Sequence, residues 1–183
     1  MNNLQLAETF NLIADLLEVK GEIVYKTIAY RRAAENIAGY GRDVNEVWKE
    51  GKLRDIPGVG EAIATKIDEL MRTGKLKFLE DLKKEVPPSL AEWMRVPGLG
   101  PKKVAMIHKE LGITTLPELE AAGKEGKLST LPGMGPKSEA AILAGIATLS
   151  RRSQRIPLGR AWPLAQGIVA DLKKIPGVVD AVP

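Results

Sequence analysis

The chain has 183 residues, 44% of them hydrophobic and 27% charged, with a net charge of +4. That balance suits globular rather than disordered structure and allows one large domain or two or three small ones. With no cysteine and one histidine, disulfides and thiol chemistry are excluded and no metal-ligand set is expected.

No apolar run reaches bilayer-spanning length, and no basic residue precedes an apolar core at the N-terminus. Membrane insertion and secretion are therefore not expected, whereas a reducing, cytoplasmic setting is. The excess of base points to an anionic partner, with nucleic acid first.

Helical periodicity dominates from the start. Leu6, Phe10, Ile13, Leu16 and Leu17 predict an amphipathic helix that stops near Gly21. A second helix is predicted from about Tyr25 to Ala38, with Ala29, Ala33 and Ala34 small enough for close helix approach and Gly39 and Gly41 ending it. A short helix follows near Val44 to Lys49, and then comes the tetrad Pro57-Gly58-Val59-Gly60.

The segments EGKLRDIPGVG (50–60) and EGKLSTLPGMG (125–135) differ only at Arg54/Ser129 and Asp55/Thr130, apart from Ile/Leu and Val/Met exchanges. MRVPGLG (94–100) is a third copy of the tetrad. Each copy precedes a helix-spaced set: Ile63, Ile67, Leu70; Val104, Ile107, Leu111; Ala140, Ile142, Ile146. VPPSL (86–90) and SRRSQRIPLGR (150–160) read as junctions. The expected fold is all-α: a small helical bundle with the first helix-hairpin-helix over 1–86, the second and third helix-hairpin-helix units over 87–150, and a linker leading into the start of a further, truncated domain over 151–183.

A Pro-Gly-x-Gly turn ahead of a helix has a physical use. Glycine removes the Cβ in front of the turn, proline stiffens it, and the helix start offers unpaired N–H groups at the positive end of its dipole. Together these form a seat for a phosphate of DNA or RNA that reads no bases. One such turn is as well explained by packing of a helical corner. Three copies, followed by Lys102, Lys103 and Lys137, favour phosphate. The expected contacts are Gly58, Val59, Gly60, Gly98, Leu99, Gly100, Gly133 and Gly135 with those lysines. Turn carbonyls are expected to hold Na+ or K+ bridging to phosphate: Arg54, Ile56 and Val59 at the first hairpin, Met94, Val96 and Leu99 at the second. A Walker loop and a dinucleotide fold both lack the required spacing or strands.

The stretches YKTIAYRRAAENIAGY, IPGVGEAIATKIDELMRTGKL and VPGLGPKKVAMIHKELGITTLPEL resemble the amino-terminal half of family X DNA polymerases, the polymerase-beta-like group. LPGMGPKSEAAILAGI and GRAWPLAQGIVADLKKIPGVVDAV resemble bacterial members approaching the palm. The resemblance implies a unit that grips the 5′-phosphate of gapped or nicked duplex and removes deoxyribose phosphate, in the setting of DNA repair. It places the lyase nucleophile at Lys66 and the phosphate grip at Lys26 and Tyr30. A further pocket lysine of the family falls at Ala62, and its pocket histidine at Tyr25. The family's palm binds two Mg2+ ions through aspartates, but no Asp-x-Asp occurs here, so Mg2+ and polymerisation are not expected of this chain. It is expected to stop where a palm would begin, and to act as a monomer.

Two readings stay open: this polymerase portion with lyase chemistry, or a non-enzymatic tandem helix-hairpin-helix module. A helix-hairpin-helix glycosylase is disfavoured, since no suitably placed aspartate follows the hairpin. His108 is expected at the surface, and Trp48, Trp93 and Trp162 in packing roles. EDLKKE (80–85) is expected as a solvated helix face, and Arg151, Arg152 and Arg155 as a basic patch at a helix end.

Overall fold

The computed structural model describes residues 1–153 together with 166, 167, 169, 171 and 172. Residues Met1–Gly145 form one compact unit and Ile146–Pro183 a second. Among the described residues all regular structure is helical.

Helix α1 (Asn3–Lys20) begins at Asn2, which forms a reciprocal capping box with Gln5, and ends at Gly21 in the left-handed region. Its apolar stripe of Leu6, Phe10, Ile13, Leu16 and Leu17 is buried. Against it packs α2 (Val24–Ala38), the most extensive helix pairing among the described residues. Ala33 and Ala34 are fully buried and admit the close approach, whereas Ala29 lies on the exposed face. The side chain of Asn3 then fixes the next element: its amide donates to the Tyr40 and Arg42 carbonyls and its oxygen accepts from Val44 N–H. That bond anchors α3 (Val44–Lys49), capped by Asp43.

A 3₁₀ turn, Leu53–Asp55, leads into the first tetrad and α4 (Glu61–Thr73). After Gly74, α5 (Lys77–Glu85) returns the chain to α1, where Lys20 pairs with Glu85 at 2.6 Å. Pro87 and Pro88 separate it from the short α6 (Ser89–Trp93), which precedes the second tetrad and α7 (Pro101–Leu111). Helix α8 (Leu116–Lys124) opens with a Thr115–Glu118 capping box. A second 3₁₀ turn, Leu128–Thr130, leads into the third tetrad and α9 (Pro136–Ser153). The α9 stripe uses Ile142; Ala140, expected beside it, is exposed because it sits off the buried face.

Gly145 marks a close approach. A Cβ there would lie 2.8 Å from Val96 Cγ1 and 3.0 Å from Pro97 Cδ, so its absence lets α9 rest on the second hairpin. No described helix is long and apolar enough to cross a membrane.

Candidate nucleic-acid interface

All three tetrads fold into the same four-residue turn. Val59, Leu99 and Met134 each donate a backbone hydrogen bond of 3.0 Å to the residue three before, namely Ile56, Val96 and Leu131. Proline takes the second position and a glycine with positive φ the third: Gly58 at +79°, Gly98 at +88° and Gly133 at +71°. This is the type II turn, whose third residue needs the left-handed region. The flanking apolar pair of each turn is buried and pins it to the core.

The second glycine of each tetrad behaves differently. Gly60 (φ −78°, ψ 176°) and Gly100 (φ −93°, ψ 169°) adopt extended angles open to any residue. Gly135 also lacks a positive φ. A Cβ on any of the three would meet nothing within 4 Å. The chain's own packing therefore does not require glycine there. These residues stand ahead of helix starts that no side chain caps in α4 or α7. They leave unobstructed amides and a positive dipole end directed outward.

The first hairpin is held from α2, where Asn36 Nδ2 donates to the Pro57 carbonyl at 2.7 Å. A cationic cluster forms where α2, α4 and α5 meet. The ammonium of Lys66 on α4 is 5.1 Å, and that of Lys26 on α2 5.8 Å, from the centroid of the Phe78 ring on α5. Phe78 stacks on Tyr30 with centroids 6.1 Å apart, and Tyr30 in turn meets Phe10. Lys66 also donates to the Ala62 carbonyl at 3.3 Å, and Lys26 pairs with Glu22 at 3.4 Å. Lys66 is half-buried and Tyr30 only 6% exposed, with burial raising the Tyr30 phenol above its ordinary pKa. Tyr30 is thus a packing residue that offers a ligand at most its hydroxyl.

At the second hairpin, Asp15, Glu18, Arg31, Arg95 and Gly100 line a cleft of about 390 Å³. Arg31 bridges Asp15 at 2.8 Å and also pairs with Glu18. Burial lifts the Asp15 carboxyl above the usual range, against the opposing pull of Arg31. Lys102 and Lys137 point into solvent, whereas half-buried Lys103 donates from Nζ to the Gly98 carbonyl at 3.1 Å.

The structure thus gathers Lys26, Tyr30 and Lys66 around Phe78, a residue the sequence reading passed over. Its cue was the spacing Phe78-Leu79-Leu82 after Gly74, which turns α5 back toward α4. Of the expected cation ligands, the Ile56 and Val96 carbonyls each accept a turn hydrogen bond and keep one lone pair. No His, Cys, Asp or Glu group suited to a metal ion occurs among the described residues. His108 is half-buried, with Nδ1 3.0 Å from the Ile113 carbonyl oxygen. Trp93 is fully buried, and Trp48 links α3 to α4 by donating to Asp68 at 2.9 Å. The 80–85 face carries the pairs Lys83–Glu80 and Lys84–Asp81. Trp162, Arg155 and the side chains of Arg151 and Arg152 lie outside the described residues.

Comparison with known proteins agrees with this geometry. A helix-hairpin-helix domain model matches residues 1–76, and a SAM-like helix-hairpin-helix tandem model matches 50–111 and 92–148. The "DNA polymerase/3'-5' exonuclease PolX" of Bacillus subtilis (strain 168) is 31% identical over 179 residues, covering 98% of this chain and 31% of that relative. The chain therefore spans about a third of the length of that relative. With three Pro-Gly-x-Gly turns sharing one hydrogen-bond pattern and these matches, the chain belongs to the helix-hairpin-helix family and is a relative of a family X DNA polymerase.

Proposed function

We propose that the chain grips the sugar-phosphate backbone of duplex DNA without regard to sequence, as the amino-terminal part of a family X polymerase acting in repair synthesis. The observation that supports this reading is the pair of glycine roles within each tetrad. Gly58, Gly98 and Gly133 serve the turn, whereas at Gly60, Gly100 and Gly135 neither a positive φ nor a close neighbour within the chain calls for glycine. An amide surface kept bare of side chains suits close approach by an anion. Fluorescence anisotropy with two duplexes of unrelated sequence tests it: equal affinity is expected, and a strong base preference at constant salt would overturn it.

A finer proposal concerns Lys66. Gapped or nicked DNA bearing a 5′-deoxyribose phosphate would seat its phosphate at the first hairpin and Lys26. The neutral Lys66 amine then condenses with C1′ of the ring-opened sugar, forming a Schiff base and releasing water. Loss of a C2′ proton to water breaks the C3′–O bond, and the strand leaves with a 5′-phosphate. Hydrolysis frees the amine. The support is the convergence of two lysines on one aromatic ring, one of them on the helix that the first hairpin opens. Borohydride trapping on such DNA separates this from the non-enzymatic module: a covalent adduct dependent on Lys66 is expected, and its absence would leave a binding module alone.

A further inference from the structure

The three hairpins share a backbone but differ in charge. The first turn of α4 carries Glu61 and that of α9 carries Glu139, whereas the first turn of α7 carries no acid and two lysines. Five residues beyond the positive-φ glycine stand Ile63 in the first hairpin, Lys103 in the second and Ser138 in the third. Ile63 is buried in the core. Lys103 instead folds back and places its ammonium 3.1 Å from the Gly98 carbonyl oxygen.

We infer that Lys103 is the built-in cation of the second hairpin: its ammonium joins the turn carbonyl to a DNA phosphate, where the first hairpin relies on a free monovalent ion. This rests on the backbone-seat reading above. An ammonium has three donors, so one can satisfy the Gly98 carbonyl while the others face an anion. Gly98 belongs to the same turn as Leu99, so the tethered ammonium puts a positive charge in the turn that a free Na+ or K+ would enter. The expected Met94–Val96–Leu99 cation set therefore does not suit a mobile ion while Lys103 is in place. The first hairpin has no such tether, and Glu61 beside it adds a negative charge that a free cation offsets.

The test compares DNA affinity of the full chain in NaCl and in N-methylglucamine chloride at equal ionic strength. Lys103→Gln keeps a donor for the carbonyl but no charge. Its loss of affinity on leaving Na+ should exceed that of wild type by about tenfold, the worth of one charge-assisted bond. Lys103→Arg should retain the wild-type ratio. In a Gly100→Asp background, with the second seat blocked, Lys103→Gln should leave the ratio unchanged. If Lys103→Gln weakens binding equally in both salts, or not at all, the tethered-cation role is wrong. Failure of the seat reading itself is seen separately, as wild-type affinity of both Gly60→Asp and Gly100→Asp in NaCl.

Discussion

The ammonium of Lys66 lies 5.1 Å from the centre of the Phe78 ring, which is itself stacked on Tyr30. A cation over an aromatic face is held by about 0.5–1 kcal/mol at such a partly exposed site. The ring thus holds the Lys66 side chain at the meeting of α2, α4 and α5.

Lys66→Ala should abolish borohydride trapping while keeping most DNA affinity, because the phosphate grip is assigned to the hairpin amides and Lys26. Lys66→Arg should be equally inactive, since a guanidinium stays protonated. Ala62→Lys should raise trapping by adding a cation one helical turn before Lys66. Equal trapping in wild type and Lys66→Ala would move the chemistry elsewhere.

The two glycines of one tetrad should respond in opposite ways. Gly58→Ala places a Cβ 3.0 Å from Asn36 Nδ2 at a φ of +79°, so it should cost about 1–2 kcal/mol of stability and lower the melting temperature. Gly60→Ala meets open space at an ordinary φ and should cost no more than about 1 kcal/mol, the loss of a tolerable helix cap. Melts followed by circular dichroism at 222 nm check both. Equal loss would mean that both glycines serve the fold.

Much of the fold was legible because its signals are local. Leu6 to Leu17 announce α1 by spacing, and the repeated tetrads announce three turn-helix starts. What escaped depends on contacts made across the sequence. Phe78 gains its place only when α5 returns beside α2 and α4. Tyr30 reads as a surface ligand until Phe10 and Phe78 cover it. Ala29 and Ala140 have suitable side chains for packing but fall on outward arcs, a matter of helix rotation that small residues barely encode. The pairing of Arg31 with Asp15 and Glu18 likewise depends on how α1 and α2 are turned toward each other.

Binding should weaken steeply with salt. The seats with Lys102, Lys103 and Lys137 suggest roughly three to five neutralised phosphates, giving a slope of log K against log salt on the order of −3 to −4. Anisotropy titrations over a series of NaCl concentrations measure it. A slope near zero would contradict a phosphate-based interface.

Acid should destabilise the fold. The Arg42 hydrogen bond, aided by Lys52, holds the Glu50 carboxyl down to about 2. Asp68 is lowered by donation from the Trp48 indole and then Arg72, and Asp43 by the Asn45 backbone N–H. Each folded value lies below the unfolded one, so the native state binds fewer protons. Their stabilisation is therefore full above the unfolded carboxylate range, about 4, and is lost as pH falls toward the folded values. Asp15, raised by burial, works in the opposite direction and offsets part of the loss. Melting temperatures should be level between about pH 7 and 5 and fall below about pH 4. A rise on acidification would contradict the assigned pairs.

If Gly60 and Gly100 are bare for the sake of a phosphate, a charged side chain at both removes the seat without harming the fold. Aspartate is a better helix N-cap than glycine and suits their extended angles, yet it fills the seat with a negative charge. The most direct measurement is the DNA affinity of the Gly60→Asp/Gly100→Asp double variant alongside its melting temperature. A melting temperature at or above wild type is expected together with at least a tenfold loss of affinity, the order expected for losing charge-assisted contacts. Wild-type affinity in the folded double variant would show these turns to be helical corners and nothing more.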